Sequence, residues 1–225
     1  MLVNPGAKKS LLILHGWGSN KEIMQQAFGA HFDQYKHIYV DMPGFGRSSN
    51  TMILHSSDYA KIMELFLQTL EVKPAIIAGH SFGGKVATLL NPPCLVLLSS
   101  SGILVPKPLT VKLQIALVKL LKPFGMKKIR SLFVATDAKN VNHEMYETFK
   151  NVVNEKFEEN FAKVNSKALL FWGKEDTATP LWTAQKINTM MPDSELYPLD
   201  GDHFFFLKHA KFIEEKILQK CSQNN

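Results

Sequence analysis

The sequence predicts an α/β protein in which a mostly parallel sheet of about six strands carries helices on both faces. Short apolar runs alternate along the chain with longer segments of helical spacing, which is typical of β–α–β units. The runs are apolar throughout, as expected for parallel strands that are covered on both faces. They are LLIL at 11–14, IYV at 38–40, AIIAG at 75–79, CLVLL at 94–98, ALLFW at 168–172 and ELYPL at 195–199.

The length of 225 residues and the hydrophobic content of 45% favour a single domain that spans residues 1–225. The longest apolar runs reach about five residues, against roughly twenty for a membrane-spanning helix. The first ten residues, MLVNPGAKKS, lack the apolar core of a secretory leader. We therefore expect neither a transmembrane segment nor export.

The two cysteines, Cys94 and Cys221, lie far apart, the first in a predicted strand and the second near a polar C-terminus. We expect no disulfide framework from this arrangement. A reducing cytoplasm fits that expectation, so the predicted location is cytoplasmic.

Residues 57–70 show the clearest helical spacing. Ile62, Leu65, Phe66 and Leu70 recur at intervals that predict one apolar stripe on the helix. Pro74 follows and ends the helix.

A long insertion is predicted between two strands, over residues 102–165, where one helix would normally suffice. Its first part, residues 109–122, has the spacing of an amphipathic helix, and a second helical stretch covers about 142–161. We interpret residues 102–165 as a helical lid on the domain.

The net charge of +6 comes from one segment of the predicted lid. Seven basic residues and no acidic residue lie between Lys107 and Arg130, which leaves 19 basic against 20 acidic residues elsewhere. This distribution argues against nucleic-acid binding and predicts one local positive face. An acidic partner and a solvated helix face both remain compatible with it.

The strongest chemical signal is the motif GHSFG at 79–83, which follows an apolar strand and precedes a segment capable of forming a helix. A strand, a sharp turn and a helix are the context of a nucleophile elbow, in which flanking glycines allow a strained serine to project above the sheet. Ser81 is therefore the predicted nucleophile.

A serine hydroxyl needs a base to accept its proton and a carboxylate to orient that base. Asp176 is the predicted acid, because it lies in the turn after the strand ALLFW, where open α/β sheets place functional groups. Glu175 is the local competitor. The turn after the preceding strand, SSSGIL at 99–104, contains no carboxylate.

His203 is the predicted base, because it follows the last strand in the expected order of serine, acid and histidine. Asp200 and Asp202 flank it and are interpreted as groups that cap or orient the turn. His80 adjoins the nucleophile and is interpreted as a packing or orienting residue, and His15 belongs to a separate loop.

The backbone amides of Trp17 and Phe82 are the predicted oxyanion hole. Phe82 follows the nucleophile at a helix N-terminus, where the helix dipole also favours negative charge. Trp17 lies between glycines in the loop after the first predicted strand. No metal or cofactor is predicted, since no histidine or cysteine pair at ligand spacing lies outside this constellation.

Five motifs in one order carry a resemblance to a known family: HGWG at 15–18, DMPGFGRS at 41–48, GHSFGG at 79–84, WGKEDTATP at 172–180 and GDHFF at 201–205. On these motifs the chain resembles the α/β-hydrolase family, specifically its lidded esterases and carbon–carbon bond hydrolases. The resemblance implies the α/β-hydrolase fold, an acyl-enzyme on Ser81 and a lid that selects the substrate. Only fourteen residues precede His15, fewer than is usual in the family, which implies a trimmed sheet.

Within that branch, HGWG and PGFGRS are similar to the pimeloyl-carrier-protein methyl ester esterases. This similarity implies a small acyl ester as substrate, and the basic segment would suit an acidic carrier protein that presents it. The alternative is a carbon–carbon hydrolase of the 2-hydroxy-6-oxo-dienoate type. That group usually has asparagine before the nucleophile and a different oxyanion loop, whereas this chain has His80 and Trp17.

Overall fold

The computed structural model describes residues 1–105 and 143–221 of the chain. Within them, seven strands form one sheet in the order β1-β3-β2-β4-β5-β6-β7. The strand β1 is antiparallel to β3, and the other neighbours are parallel. The strands are β1 (Leu2–Val3), β2 (Lys9–Leu14), β3 (Tyr35–Val40), β4 (Ile76–His80), β5 (Cys94–Leu98), β6 (Lys167–Gly173) and β7 (Ser194–Leu199).

The helices of the described residues are numbered in chain order. They are α1 (Lys21–Phe28), α2 (Ser56–Thr69), α3 (Phe82–Leu90), α4 (His143–Asn154), α5 (Glu158–Ala162), α6 (Leu181–Met190) and α7 (Phe206–Cys221). Two buried clusters cover the sheet, one against α2, α3 and α6 and the other against α1 and α7. The predicted α/β-hydrolase fold with helices on both faces is therefore confirmed.

The six apolar runs correspond to β2 through β7, so the predicted parallel sheet is correct. The edge strand β1 was not predicted, and it raises the number of strands to seven in the described residues. It has two residues, which pair with His37 and Ile38 of β3. A strand this short has no periodicity to detect, since its pairing depends on a partner far along the chain.

The helix α2 forms as predicted, but the predicted apolar stripe is only partly correct: Ile62 and Phe66 pack against the core, whereas the other two residues are exposed. Leu65 is 50% exposed and Leu70 is 36% exposed. The buried side of α2 is instead formed by Tyr59, Met63 and Leu67. The spacing of apolar residues allowed both rotations of the helix, and packing against the core selected this one.

The second helical stretch of the insertion is present but is divided into α4 and α5, with residues 155–157 between them. The predicted helix over 109–122 and the basic segment from Lys107 to Arg130 lie outside the described residues. Among the helices described, none is both long and apolar enough to cross a membrane.

Contrary to the prediction, Cys94 and Cys221 are joined in a disulfide, with their Cα atoms 5.9 Å apart. Cys94 begins β5 and Cys221 ends α7, which lies across the sheet and brings its last turn back to that strand. The expectation rested on the separation of 127 residues in the sequence. The fold brings these two distant positions next to each other in space.

Candidate active site

The three predicted site residues follow the carboxyl ends of three parallel strands. Ser81 directly follows β4, Asp176 lies in the turn after β6, and His203 lies in the turn after β7. Carboxyl ends of parallel strands meet at one edge of the sheet, where open α/β sheets place their functional groups. The topology therefore gathers these side chains from positions up to 122 residues apart in the sequence.

The nucleophile turn is strained at Ser81. Its φ of 51° and ψ of −114° lie outside the regions that residues other than glycine normally adopt. Two backbone hydrogen bonds hold it: the Ser81 amide donates to the Leu98 carbonyl at 3.0 Å, and the Ser101 amide donates to the Ser81 carbonyl at 3.1 Å. The neighbouring strand β5 thus fixes the position of the serine.

Gly79 and Gly83 are required by close backbone contacts across the turn. A Cβ atom on Gly79 would lie 2.2 Å from the carbonyl oxygen of Gly83. One on Gly83 would lie 2.5 Å from the carbonyl oxygen of His15. Because backbone atoms cannot yield at such distances, the Gly-x-Ser-x-Gly pattern here has a direct steric cause.

Asp176 and His203 are paired. The His203 Nδ1 atom lies 2.7 Å from Asp176 Oδ2, and the Asp176 side chain is fully buried. Its carboxylate also accepts bonds from the Thr179 hydroxyl at 2.8 Å and from the amides of Ala178 and Thr179 at 2.8 and 2.9 Å. Burial by itself would raise the pKa of Asp176, but the hydrogen bonds from His203 and Thr179 outweigh it and lower that pKa to about 2.

The bond to Asp176 occupies Nδ1 of His203, so Nε2 is the ring nitrogen left for proton transfer. The His203 side chain is 19% exposed, whereas the carboxylate that it contacts is fully buried. Among the hydrogen bonds of the described residues, none joins Ser81 to His203. Such a bond is often long or unformed in an enzyme without its substrate.

The other carboxylates near the base have separate partners. Glu175 is exposed and accepts a hydrogen bond from the Gly201 amide. Asp200 pairs with Lys174 at 2.6 Å, and Asp202 accepts from the Phe204 amide at 2.8 Å. Thus Asp176 is the one that contacts His203, while Glu175, Asp200 and Asp202 shape the turn.

Thr179 was not singled out from the sequence. Its hydroxyl donates to Asp176 Oδ2 at 2.8 Å and lies 3.4 Å from His203 Nδ1. The spacing Asp-x-x-Thr, in which an aspartate accepts from the amide and hydroxyl three residues later, is a signal that could have indicated it.

His80 packs against His203. It is buried, and its Nε2 atom lies 2.9 Å from the carbonyl oxygen of His203, while the two imidazole rings are 4.6 Å apart between centroids. Burial lowers the pKa of His80 to about 3, with a smaller contribution from His203. A neutral ring whose Nε2 carries the proton can donate to that carbonyl, so His80 orients the His203 backbone.

The two predicted oxyanion donors belong to two different segments, the start of α3 and the loop after β2. Phe82 is the first residue of α3, so its amide precedes the hydrogen-bonded turns of the helix. Trp17 belongs to the loop after β2, and its ring packs on that of Phe82 with 5.6 Å between centroids. His15 holds this loop: its Nδ1 lies 2.8 Å from the Gly16 carbonyl, and its Nε2 accepts from the Met42 amide at 3.1 Å.

A cavity of about 730 Å³ opens at Ser81. Trp17 and Phe82 line it on the core side, and the insertion helix α4 contributes the opposite wall. Phe149 of α4 packs on Trp17 with 5.3 Å between ring centroids. The described lining consists mainly of apolar and aromatic side chains: Trp17, Phe82, Ile103, Leu104, Val105, Tyr146, Phe149, Val152 and Val153.

Comparisons with known proteins agree with this fold. A family model described as the alpha/beta hydrolase fold matches residues 9–92. The uncharacterized hydrolase YugF of Bacillus subtilis is 29% identical, over 95% of this chain and 90% of its own length. The solved structure of an esterase from Exiguobacterium antarcticum matches with a TM-score of 0.76 and 19% identity, covering 99% of this chain and 94% of the esterase.

A second relative matches over a shorter region. The pimeloyl-[acyl-carrier protein] methyl ester esterase of Vibrio campbellii is 40% identical over 90 residues, which make up 39% of this chain and 34% of that esterase. On the family model, the relative that aligns along nearly its whole length and the shared fold, this chain has the alpha/beta hydrolase fold and is a hydrolase, similar in sequence to members of the α/β-hydrolase family.

Proposed function

We propose that this protein is a serine hydrolase that cleaves carboxylic esters or thioesters through an acyl-enzyme on Ser81. The observation that carries the proposal is the bond between Asp176 and His203, formed at the sheet edge that also presents the strained Ser81. A buried carboxylate that orients an imidazole beside a serine is the arrangement that activates a hydroxyl for acyl transfer.

In the proposed reaction, His203 Nε2 takes the proton of the Ser81 hydroxyl while the serine oxygen attacks the acyl carbonyl. His203 then donates this proton to the departing alcohol or thiol, leaving an acyl ester on Ser81. A water molecule, deprotonated by His203, attacks that ester, and the serine leaves with the proton. Asp176 stays ionised throughout, in agreement with its lowered pKa, and stabilises the imidazolium.

The amides of Trp17 and Phe82 are proposed to stabilise the oxyanion of each tetrahedral intermediate. The free amide at the start of α3 supports this role for Phe82, since a helix N-terminus carries partial positive charge. For Trp17, support comes from the loop that His15 braces beside the nucleophile turn.

The cavity supports an apolar acyl group as the substrate portion nearest to Ser81. Its volume of about 730 Å³ and its mainly apolar walls fit an acyl chain of medium length, and the charged residues Lys85, Lys150 and Glu155 also line it. Residues 102–165 would then act as the lid, because α4 forms one wall of this cavity. No contact among the described residues specifically favours the alternative cleavage of carbon–carbon bonds.

When the substrate is large, the acyl group is proposed to be presented by an acidic carrier protein to which it is bound. Support comes from the seven basic residues between Lys107 and Arg130 and from the partial similarity to the Vibrio campbellii esterase. A carrier-bound ester should lose more of its kcat/KM than the free methyl ester when salt is raised, because salt screens attraction between opposite charges. Equal salt dependence of the two substrates would exclude this partner.

The experiment that tests the function is labelling with a fluorescent fluorophosphonate, followed by turnover of p-nitrophenyl esters of increasing acyl length. We expect the wild-type protein to be labelled and to hydrolyse esters, and Ser81→Ala to lose both. Ser101→Ala is a matched control, because it removes another serine hydroxyl of the same cavity wall. A wild-type protein that neither reacts with the probe nor hydrolyses any ester would overturn the proposal.

A further inference from the structure

Lys85 is a buried lysine that the proposed reaction does not use. It lies on α3, four residues after Ser81, and its side chain is only 2% exposed. An ammonium group loses its hydration when it is buried, so it needs close partners inside the protein. Its partners therefore indicate what this residue does.

Within residues 1–105 and 143–221, the partners of Lys85 belong to the insertion. The ammonium group donates to the Val152 carbonyl at 2.8 Å and pairs with Glu155 Oε2 at 2.5 Å. It also lies 4.8 Å from the centroid of the Phe157 ring. The two polar contacts engage two of the three N–H donors of the lysine, and the Phe157 ring adds a favourable contact with the ammonium charge.

The bond to Val152 satisfies a backbone carbonyl in the last turn of the insertion helix α4. Val152 lies in the last turn of α4, where backbone carbonyls have no partner within the helix. A cation at a helix C-terminus also interacts favourably with the helix dipole. Lys85 thus caps α4 from the core helix that begins next to the nucleophile.

Glu155 connects this contact to a second core helix. The Ser56 hydroxyl of α2 donates to Glu155 Oε2 at 2.5 Å, so the carboxylate bridges α2 and α3. Burial lowers the pKa of Lys85, and the hydrogen bond and charge of Glu155 oppose that effect. The pair therefore stabilises the ammonium form on which the contact depends.

The helix held by Lys85 also forms the wall of the cavity. Tyr146, Phe149 and Val153 of α4 are spaced three and four residues apart, so they lie on one side of the helix, and all three line the cavity. Phe149 reaches Trp17, the proposed oxyanion residue. A displacement of α4 would therefore change the space available to an acyl chain.

We propose that Lys85 is a positioning residue that holds α4 against α3 and thereby sets the length of acyl chain that the cavity accepts. This inference rests on the proposed function of Ser81. The ion pair with Glu155 and the bond to Val152 act together, because they hold the end of α4 and the residue that follows it.

The test uses Lys85→Met, which keeps most of the side-chain volume, together with Glu155→Gln and the double variant. Lys61→Met is the matched control, because Lys61 is 64% exposed and its pair with Glu64 at 2.8 Å lies on the surface of α2. Two quantities are compared: the ratio of kcat/KM for octanoate over acetate p-nitrophenyl esters, and the amide hydrogen exchange of residues 143–154.

We expect Lys85→Met to change the octanoate-to-acetate ratio by about tenfold and the double variant to equal the more affected single variant within about twofold. The amides of α4 should exchange about tenfold faster in Lys85→Met, with no change in Lys61→Met. An unchanged ratio with unchanged exchange would overturn the inference, as would independent, multiplicative effects in the double variant.

Two further outcomes are distinguishable. If the wild-type protein hydrolyses no ester, the proposed function fails, and the exchange of α4 alone decides whether Lys85 holds that helix. If Lys85→Met does not fold, Glu155→Gln and Ser56→Ala test the same contact, since each removes part of it from outside α3. Both should then change the ratio in the same direction, and a wild-type ratio in both would contradict the inference.

Discussion

Asp176 Oδ2 lies 2.7 Å from Nδ1 of His203, whereas the adjacent carboxylate of Glu175 accepts from the backbone of Gly201. The two neighbouring acidic residues of this turn thus have different hydrogen-bond partners. Asp176 is buried and orients the imidazole, while Glu175 is exposed and joins the turns after β6 and β7.

The first prediction distinguishes these two acids. Asp176→Asn should lower kcat by about four orders of magnitude, because an amide no longer stabilises the imidazolium and favours the wrong tautomer. Glu175→Gln should stay within about threefold of the wild type, since it leaves the bond to His203 intact. The measurement is steady-state hydrolysis of a p-nitrophenyl ester, and a larger loss in Glu175→Gln would reverse the assignment of the acid.

The second prediction concerns stability in acid. The folded-state pKa of Asp176, about 2, lies below its ordinary value of 3.8. A carboxylate with a lowered pKa contributes stability above its unfolded pKa and loses that contribution as the pH falls toward its folded pKa. The wild type should therefore have a higher free energy of unfolding than Asp176→Asn, and the difference should be largest near neutral pH. This difference should shrink as the pH falls from 3.8 to about 2.

Urea unfolding at several pH values down to the acid range provides the measurement. Asp202→Asn serves as the control, because Asp202 is exposed and accepts from the Phe204 amide rather than from the histidine ring. A difference between the wild type and Asp176→Asn that grows on acidification would show that the carboxylate does not stabilise the fold in this way.

The third prediction concerns His80. Its Nε2 atom lies 2.9 Å from the His203 carbonyl, so His80→Phe should remove that bond while keeping an aromatic ring in the buried position. We expect kcat to fall by about tenfold with KM little changed, because the base is displaced from its optimal geometry. His209→Phe, at a half-buried histidine whose ring nitrogen lies 2.8 Å from the Asp200 carbonyl, should leave kcat unaltered. A KM effect without a kcat effect would contradict the role of His80 in orienting the base.

The fourth prediction concerns the disulfide. Cys94 and Cys221 enclose a loop of 127 residues that contains Asp176 and His203. Closing a loop of this length should stabilise the fold by about 5 kcal/mol, so Cys221→Ser should unfold at lower urea concentration under non-reducing conditions. Under reducing conditions the two proteins should become equally stable, apart from the small effect of the serine. Detection of two free thiols in the unreduced, unfolded wild-type protein would exclude the bond.

Much of the fold follows from local features of the sequence. The runs that form β2 through β7 are apolar because both faces of the sheet are covered, and this pattern is visible in the sequence. Ser81 could be singled out because Gly79 and Gly83 mark a turn that tolerates no Cβ atom at either position. The predicted acid and base were identified by their places after successive strands.

Other features depend on which distant residues meet, and local spacing carries no information about that. The rotation of α2, the two-residue strand β1 and the disulfide between Cys94 and Cys221 were missed for this reason. The contacts of Thr179, His80 and Lys85 are of the same kind, because each partner is defined only when strands and helices are assembled.

The sequence by itself determined the fold class, the parallel sheet and the chemical types that follow its strands. Only the tertiary structure decided that Asp176, and not Glu175, contacts His203, and that a buried lysine joins the core to the insertion. The physical reason is that strand pattern and turn chemistry are set by neighbouring residues, whereas hydrogen bonds and ion pairs across the fold depend on how the helices pack on the sheet.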